Sequence, residues 1–276
     1  MPVKNVPLIF LIFLIITNIS LAGAWTQKKG GGFYKLDFRF LNAEKIYDRW
    51  GNKTDIPEFS DMTLGLYSEY GVSDVLTLFG SWSAYKVTKI DSAKNFSLRD
   101  EISGTGDGLI GVKLRLVQFG SSVLSSLISF GIPAGISTPD GNIITGDGEF
   151  DQTIGIQFGY SLYPVPSYLN LSVRFSNRIN GFSDEFGYGF EAGYDVLKFL
   201  TLIVRLNGLY SLKNGDPQTM GGFGIFANNT QFIAYSAGLN YKFTDRFGLS
   251  AAYESGTAGR NIISAPVVTL GIFFTH

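Results

Sequence analysis

Residues 268–276, at the end of the chain, form a segment that few folds can accommodate. Apolar side chains stand at every second position, from Val268 through Leu270 and Ile272 to Phe274. Because side chains in a β-strand repeat every two residues, these four share one face. An apolar strand at the end of a chain leaves a sheet edge that promotes aggregation unless another strand pairs with it. A closed barrel in lipid removes that edge and requires an apolar outer face, so this ending predicts a membrane barrel.

The first 24 residues have the organisation of a secretory signal peptide. Lys4 supplies a positive charge, residues 8–16 are an unbroken apolar run, and Ala22-Gly23-Ala24 is a small-x-small cleavage motif. A single membrane anchor is the alternative, but the run is shorter than the roughly 20 residues that spanning requires. The sequence therefore predicts a signal peptide over residues 1–24, cleavage before Trp25, and a barrel domain over residues 25–276.

The composition favours membrane strands over a soluble domain. Aromatic residues make up 15% of the chain and charged residues only 16%, whereas a soluble domain typically carries about 25% charged residues. After the signal, no apolar run is long enough for a transmembrane helix. The formal net charge of −1 argues against a nucleic-acid partner. The chain has no cysteine, which excludes disulfides and thiolate metal sites.

Segments with alternating polarity recur along the mature chain. In residues 34–40 the even positions are apolar or aromatic and the odd positions are charged, and residues 109–116 alternate in a similar way. A helix would instead need apolar spacings of three and four. Each segment is close to the length of a tilted membrane strand, roughly 9–11 residues. Twelve strands are predicted, at residues 32–43, 60–71, 75–87, 107–118, 122–133, 150–163, 168–179, 185–195, 199–211, 231–243, 247–254 and 264–275.

Two kinds of connection alternate between these strands. Outer-membrane barrels have short periplasmic turns and long external loops. With a periplasmic N-terminus, every short connection falls on the periplasmic side, and an even strand count returns the C-terminus there. A soluble β-sandwich shows the same alternation, but the strand length, the loop asymmetry and the terminal strand favour the barrel. Short turns are predicted at 72–74, 119–121, 164–167, 195–198 and 244–246, and longer polar loops at 44–59, 88–106, 134–149, 180–184, 212–230 and 255–263.

The fold class predicted is therefore all-β: a transmembrane antiparallel up-and-down β-barrel of about 12 strands. Its expected location is the outer membrane of a Gram-negative-type bacterium. Its expected partners are outer-membrane lipid, a small-molecule solute, and the barrel-assembly machinery, which would read the C-terminal strand. No nucleic acid and no cofactor are expected.

Several segments resemble a known group of proteins. Residues 24–36 are similar to the mature start of uncharacterised outer-membrane barrel proteins, and residues 66–74 to their second strand and turn. Residues 104–116, with Gly104-Thr105-Gly106-Asp107 at their start, resemble the G-x-GD-x-x-x-G-x-K-x-x-L segment of a wider group. That group is the transporters named after the meta-pathway of phenol degradation, and residues 146–152 and 181–186 add to the likeness. The resemblance implies an outer-membrane barrel that passes small molecules, hydrophobic or aromatic ones among them.

The sequence offers little for catalysis or metal binding. The only histidine is the last residue, His276, and there is no cysteine, so a Ser-His or Cys-His enzyme is not expected. Asp147, Glu149 and Asp151 alternate and therefore face one way. They are either oxygen ligands for a divalent cation or a solvated acidic loop edge.

Charged residues at inward positions are the strongest candidates for a functional surface. They include more basic than acidic side chains, and Arg and Lys in a pore favour anions. The alternative is an ion-pair network that fills a narrow barrel. The favoured function is a transport barrel for small molecules, hydrophobic or aromatic ones among them. The alternative function is a non-conducting structural or adhesive barrel whose loops bind a partner. The residues predicted to line the lumen are Lys35, Asp37, Arg39, Glu69, Lys113, Arg115, Arg174, Glu191, Arg205 and Lys242.

Overall fold

The computed structural model describes residues 23–91, 100–137, 143–222 and 225–276, so most of the predicted signal peptide, residues 1–22, lies outside the described residues. No helix in these ranges is long and apolar enough to cross a membrane. The strands form one antiparallel sheet. They are β1 Gly32–Tyr47, β2 Lys53–Ser73, β3 Leu76–Asp91, β4 Asp100–Gly104, β5 Gly108–Phe119, β6 Ser122–Ile132, β7 Gln152–Ser161, β8 Ser167–Asn177, β9 Glu185–Leu197, β10 Leu200–Ser211, β11 Gln231–Lys242, β12 Phe247–Arg260, β13 Ile262–Ile263 and β14 Val267–Thr275.

The sheet closes into a barrel because β1 pairs with β2 on one side and with β14 on the other. The β1–β14 register runs without a break from Phe33 opposite Thr275 to Leu41 opposite Val267. The short β4 and β5 both pair with β3, and the short β13 and β14 both pair with β1. Each of these couples fills one position in the wall. The barrel thus has twelve positions, which confirms the predicted fold and leaves the apolar C-terminal strand without a free edge.

The outer wall of the barrel is apolar. Outward side chains such as Ile110, Ile154 and Ile272 are more than half exposed, at 55%, 56% and 54%. A soluble β-sandwich would bury such a set, whereas a barrel in lipid presents an apolar band bordered by aromatic girdles. Exposed aromatic side chains lie towards both ends of the strands, with Tyr70, Phe119, Tyr160, Tyr194, Phe199, Phe243 and Phe247 at one end and Trp82, Tyr85, Phe130, Phe150, Phe186 and Tyr210 nearer the other.

The two ends of the barrel differ in their connections. One end, called here the turn end, carries the C-terminus, the start of β1 and five short connections, at 74–75, 120–121, 162–166, 198–199 and 243–246. The opposite end, called here the loop end, carries longer connections, among them 133–151 and 212–230. The predicted short connections at the turn end are confirmed, and the two longest connections, 133–151 and 212–230, lie at the loop end as predicted.

Several strands extend further at the loop end than predicted. Residues 44–59 were expected to be a loop, but most of them continue the paired hairpin of β1 and β2. Residues 255–263 likewise belong mainly to β12 and β13, and much of the expected loop 88–106 lies in β3 and β4. Apolar alternation stops where the strands leave the membrane, but backbone pairing continues in water. There the side chains of Lys45 and Asp55 form an exposed ion pair at 2.6 Å.

Candidate solute cavity and the segment that closes it

Residues 23–31, which directly precede β1, run inside the barrel. The Trp25 ring meets the Tyr168 ring of β8 edge-on, with centroids 5.7 Å apart. Further along, the Gln27 Nε2 group donates to Glu69 Oε2 of β2 at 2.7 Å. Residues 23–31, called here the N-terminal segment, therefore cross the inner wall from β8 to β2 near the turn end. The sequence did not predict this placement, because a short polar and glycine-rich stretch has no periodic pattern from which long-range contacts can be inferred.

Lys113 fixes the N-terminal segment to the wall. Its buried ammonium donates to the carbonyl oxygens of Gly23 at 2.9 Å and Trp25 at 3.2 Å, and to Glu69 Oε1 at 3.1 Å. Glu69 is only 1% exposed, and it also accepts the Tyr67 hydroxyl at 2.8 Å. A buried ion pair is tolerated only when further hydrogen bonds satisfy both partners, and here the segment's backbone supplies two of them.

A cavity of about 720 Å³ lies in the lumen, with Gly23 of the N-terminal segment among its lining residues. Its walls differ in chemistry. Charged side chains line it from β1, β9 and β10, namely Lys35, Asp37, Arg39, Glu191 and Arg205. The part of the wall between β1 and β10 includes β11 and β12, which contribute mainly small residues, Ala234, Gly238, Ala252, Gly256 and Ala258, with Asn240, Ser250 and Glu254 as polar members. Such a cavity suits a molecule with one polar and one apolar face.

Ion pairs neutralise part of the charged wall. Lys35 Nζ lies 3.3 Å from Asp37 Oδ2, and Arg205 Nε donates to Glu191 Oε2 at 2.5 Å. The Tyr168 hydroxyl donates to the other oxygen of Glu191 at 2.8 Å. These contacts hold the charged side chains in fixed positions along the cavity.

Asp61 is the centre of a second ion cluster that sequence analysis missed. Its carboxylate is fully buried, pairs with Arg39 Nη2 at 3.2 Å and with the Lys86 ammonium, and accepts the Thr88 hydroxyl at 2.9 Å. Two cations share this carboxylate, so the three side chains keep one positive charge in excess. Lys86 turns inward because a β-bulge at Ala84 reverses the alternation in β3.

An apolar cluster lies between the cavity and the loop end. Its buried members are Leu41, Ala43, Phe59, Ile143, Ile263 and Val267. Ile225, from the connection 212–230, packs against the cluster. The neighbouring Phe226 ring lies 5.4 Å from the Lys86 ammonium. The lumen is thus charged in its middle, and one part of it is apolar towards the loop end, which the sequence did not predict.

Four carboxylates surround Arg178 at the loop end. Its guanidinium lies 3.1 Å from Asp147, 2.6 Å from Glu149, 3.4 Å from Asp151 and 2.7 Å from Glu185. The three acids considered as cation ligands therefore converge on a guanidinium. In the described ranges, no cluster of acids or histidines could hold a metal ion.

Burial and crowding change the acidity of this cluster, which lies beyond the ends of the membrane strands. Burial, opposed by Arg178 and reinforced by the other acids, raises the pKa of Glu149 to about 8. The same causes raise the pKa of Asp151 to about 6. One guanidinium cannot compensate four carboxylates, so part of the cluster holds protons near neutral pH.

Asp107 links the connection 133–151 to the wall. Its carboxylate accepts the backbone N–H of Gly135 at 2.8 Å and of Asp147 at 2.9 Å. A Cβ at Gly146 would lie 2.1 Å from Asp107 Oδ1, so glycine is required for this close approach. The Gly104-Thr105-Gly106-Asp107 and Gly146-Asp147 segments that carried the resemblance therefore contact each other through the hydrogen bonds of Asp107.

Five of the predicted lumen residues do not border the cavity. Arg115 lies near the turn end, where its Nη1 donates to Gln118 Oε1 at 2.7 Å. Lys242 is exposed at the end of β11. Arg174 on β8 points at Gly187 of β9, and its guanidinium occupies the space that a Cβ there would need. Lys113 and Glu69 lie beside the N-terminal segment, as described above.

Comparison with solved structures shows that this architecture occurs in known outer-membrane proteins. No family model and no curated protein matches this sequence. Among solved structures, the barrel is similar to an outer-membrane channel from Pseudomonas putida, with a TM-score of 0.74 and 13% identity over 92% of this chain and 98% of that one. The fold is that of an outer-membrane β-barrel. The translocator domain of the autotransporter NalP from Neisseria meningitidis has a TM-score of 0.53 at 10% identity, covering 90% of each chain. The KdgM porin has a TM-score of 0.50 at 7% identity, covering 88% of this chain and 99% of that one.

Proposed function

We propose that this protein is an outer-membrane transport barrel for small molecules that combine an apolar or aromatic part with an anionic group. The observation that carries the proposal is the cavity of about 720 Å³, lined by both charged side chains and a group of small residues. A purely structural barrel would be expected to fill this space with side chains, as narrow barrels do.

The apolar exterior and the asymmetry of the two ends support residence in an outer membrane, with the turn end in the periplasm. Two structurally similar proteins are an outer-membrane channel and a porin, which agrees with a transport role. The meta-pathway transporter resemblance supports an aromatic solute.

The Asp61 cluster supports an anionic group on the solute. Arg39 and Lys86 share one carboxylate, so these three side chains keep one positive charge in excess. The small residues of β11 and β12, near β1 in the wall, leave room for an aromatic ring beside this cluster. A solute of this kind would place its anionic group towards Arg39 and its ring towards Ala252.

Two parts of the chain narrow the lumen in this conformation. The N-terminal segment lies across it near the turn end, and the apolar cluster with Ile225 packs towards the loop end. Movement of either would widen the path of a solute. We expect weak steady ion conduction together with measurable solute uptake.

Uptake into proteoliposomes tests the proposal. Benzenesulfonate carries its charge at every usable pH and should enter faster than methanesulfonate, which lacks the ring, and faster than the cation trimethylphenylammonium. Arg39→Met should reduce the preference for the anion, while Lys45→Met, in the exposed hairpin, serves as the matched control. Equal rates for benzenesulfonate in protein-free and protein-loaded liposomes would refute transport and favour the structural or adhesive barrel.

A further inference from the structure

The first two described residues, Gly23 and Ala24, are integrated into the barrel interior. Ala24 has no exposed surface, its backbone N–H donates to Asn170 Oδ1 at 2.9 Å, and its carbonyl accepts the Ser125 hydroxyl at 2.5 Å. The Gly23 carbonyl accepts from Lys113 at 2.9 Å. Three strands, β5, β6 and β8, thus contribute side chains that bind these two residues.

Cleavage before Trp25 would remove this arrangement. Asn170 and Ser125 would lose the backbone groups that they bind, and both are nearly or fully buried, at 4% and 0% exposed. A buried polar group left without a hydrogen-bond partner is unfavourable.

A second cleavage motif lies two residues earlier. Ser20-Leu21-Ala22 is also small-x-small and directs the cut to the Ala22–Gly23 bond. The Gly23 ammonium would then lie beside a second cavity, of about 400 Å³, which borders Gly23 and is lined by Glu191 and Asp195. Two nearby carboxylates favour a terminal ammonium.

We propose that the export machinery's signal peptidase cuts between Ala22 and Gly23, and that the new terminus remains docked inside the barrel. The reaction is hydrolysis: water adds across the peptide bond, leaving a carboxylate on Ala22 and an amine on Gly23, which takes up a proton. The glycine and alanine are thereby retained as the anchor of the N-terminal segment. This assignment does not depend on transport, since it concerns how the closed barrel is made.

Top-down mass spectrometry of the protein purified from outer membranes tests the cut directly. The expected mass and N-terminal fragment ions begin at Gly23. A chain that begins at Trp25 would be lighter by one glycine and one alanine residue and would overturn the proposal, as would any other start.

Two substitutions in the precursor separate the motifs. Ser20→Lys places a long charged side chain three residues before the proposed cut, so cleavage at Gly23 should stop, and the product should be unprocessed precursor or a chain that begins at Trp25. Ala24→Leu should still be processed at Gly23, although cleavage before Trp25 would require a small residue at that position. Normal processing of the Ser20 variant with a block in the Ala24 variant would contradict the assignment.

Aminopeptidase treatment tests the docking. The folded wild-type barrel should keep Gly23, because Ala24 is enclosed, whereas the heat-unfolded protein should be trimmed. Asn170→Leu removes the acceptor for the Ala24 N–H and should permit trimming, and Asn207→Leu, on β10, serves as the control. Rapid trimming of the folded wild type would show that the terminus is free and would refute docking.

Discussion

The most informative perturbation is Lys113→Met, because one ammonium binds two carbonyl groups of the N-terminal segment. The docked segment would lose the hydrogen bonds to the Gly23 and Trp25 carbonyls, at 2.9 and 3.2 Å. Hydrogen bonds from a charged donor contribute about 1.5–3 kcal/mol each, so docking should weaken by at least about 3 kcal/mol. Since about 1.4 kcal/mol corresponds to a factor of ten in an equilibrium, the undocked population should rise roughly 100-fold.

Single-channel recording in planar bilayers measures this change. Wild-type protein should conduct weakly, and Lys113→Met should show more frequent or larger openings. Arg115→Met is the matched control: it lies two residues along the same strand and donates to Gln118 instead of the segment. Its recordings should resemble the wild type.

A double variant separates loss of docking from loss of stability. Removing Lys113 alone also leaves the Glu69 carboxylate buried without its cation, which typically costs about 3–5 kcal/mol. Adding Glu69→Gln should restore resistance to heat unfolding on a gel while the openings persist, because the carbonyl contacts remain absent. If Lys113→Met folds normally and conducts like the wild type, then Lys113 does not control the segment and the reasoning fails.

Three further predictions concern the wall, the orientation and the loop end. Leu114→Arg, on the lipid face, should lower the free energy of unfolding in a urea titration by about 2–4 kcal/mol, whereas Thr201→Arg, beside Asp195, should fold normally. Equal destabilisation by both substitutions would show that the lipid and lumen faces are misassigned. Met220→Cys, 82% exposed at the loop end, should react with an impermeant maleimide on intact cells and Ser73→Cys should not; the reverse labelling would invert the orientation. Because the pKa of Glu149 is raised from 4.5 to about 8, its contribution to stability falls as pH rises between those values. Protease resistance of the connection 133–151 should therefore fall over that pH range, and it should fall less in Glu149→Gln; identical pH profiles of the two proteins would refute the assignment.

The alternation of side chains was sufficient to predict the barrel, since a period of two assigns each strand residue to lipid or lumen. The same parity that placed Glu69 inside β2 also places Asp61 inside, so that residue could have been identified from the sequence. Lys86 could not, because the bulge at Ala84 reverses the parity, and no local signal marks the bulge.

Contacts between segments distant in sequence were beyond pattern analysis. Arg178 lies just past the end of β8, and its four acidic partners come from residues 147–151 and from Glu185. The N-terminal segment likewise depends on side chains from five strands that only the curved wall brings together. Strand prediction can give the wall but cannot give what the wall encloses.

The position of the N-terminal segment has a consequence for the order of assembly. Gly32, where the segment joins β1, exchanges two backbone hydrogen bonds with His276, so the segment begins at the seam where the first and last strands meet. Its side-chain partners on β2, β3, β5, β6 and β8 belong to one run of paired strands that does not cross the seam. Pairing of β1 with β14 therefore fixes the end of the segment that joins the wall, and the run from β2 to β8 binds the rest of it. The final step of barrel closure thus also sets where the segment enters the lumen.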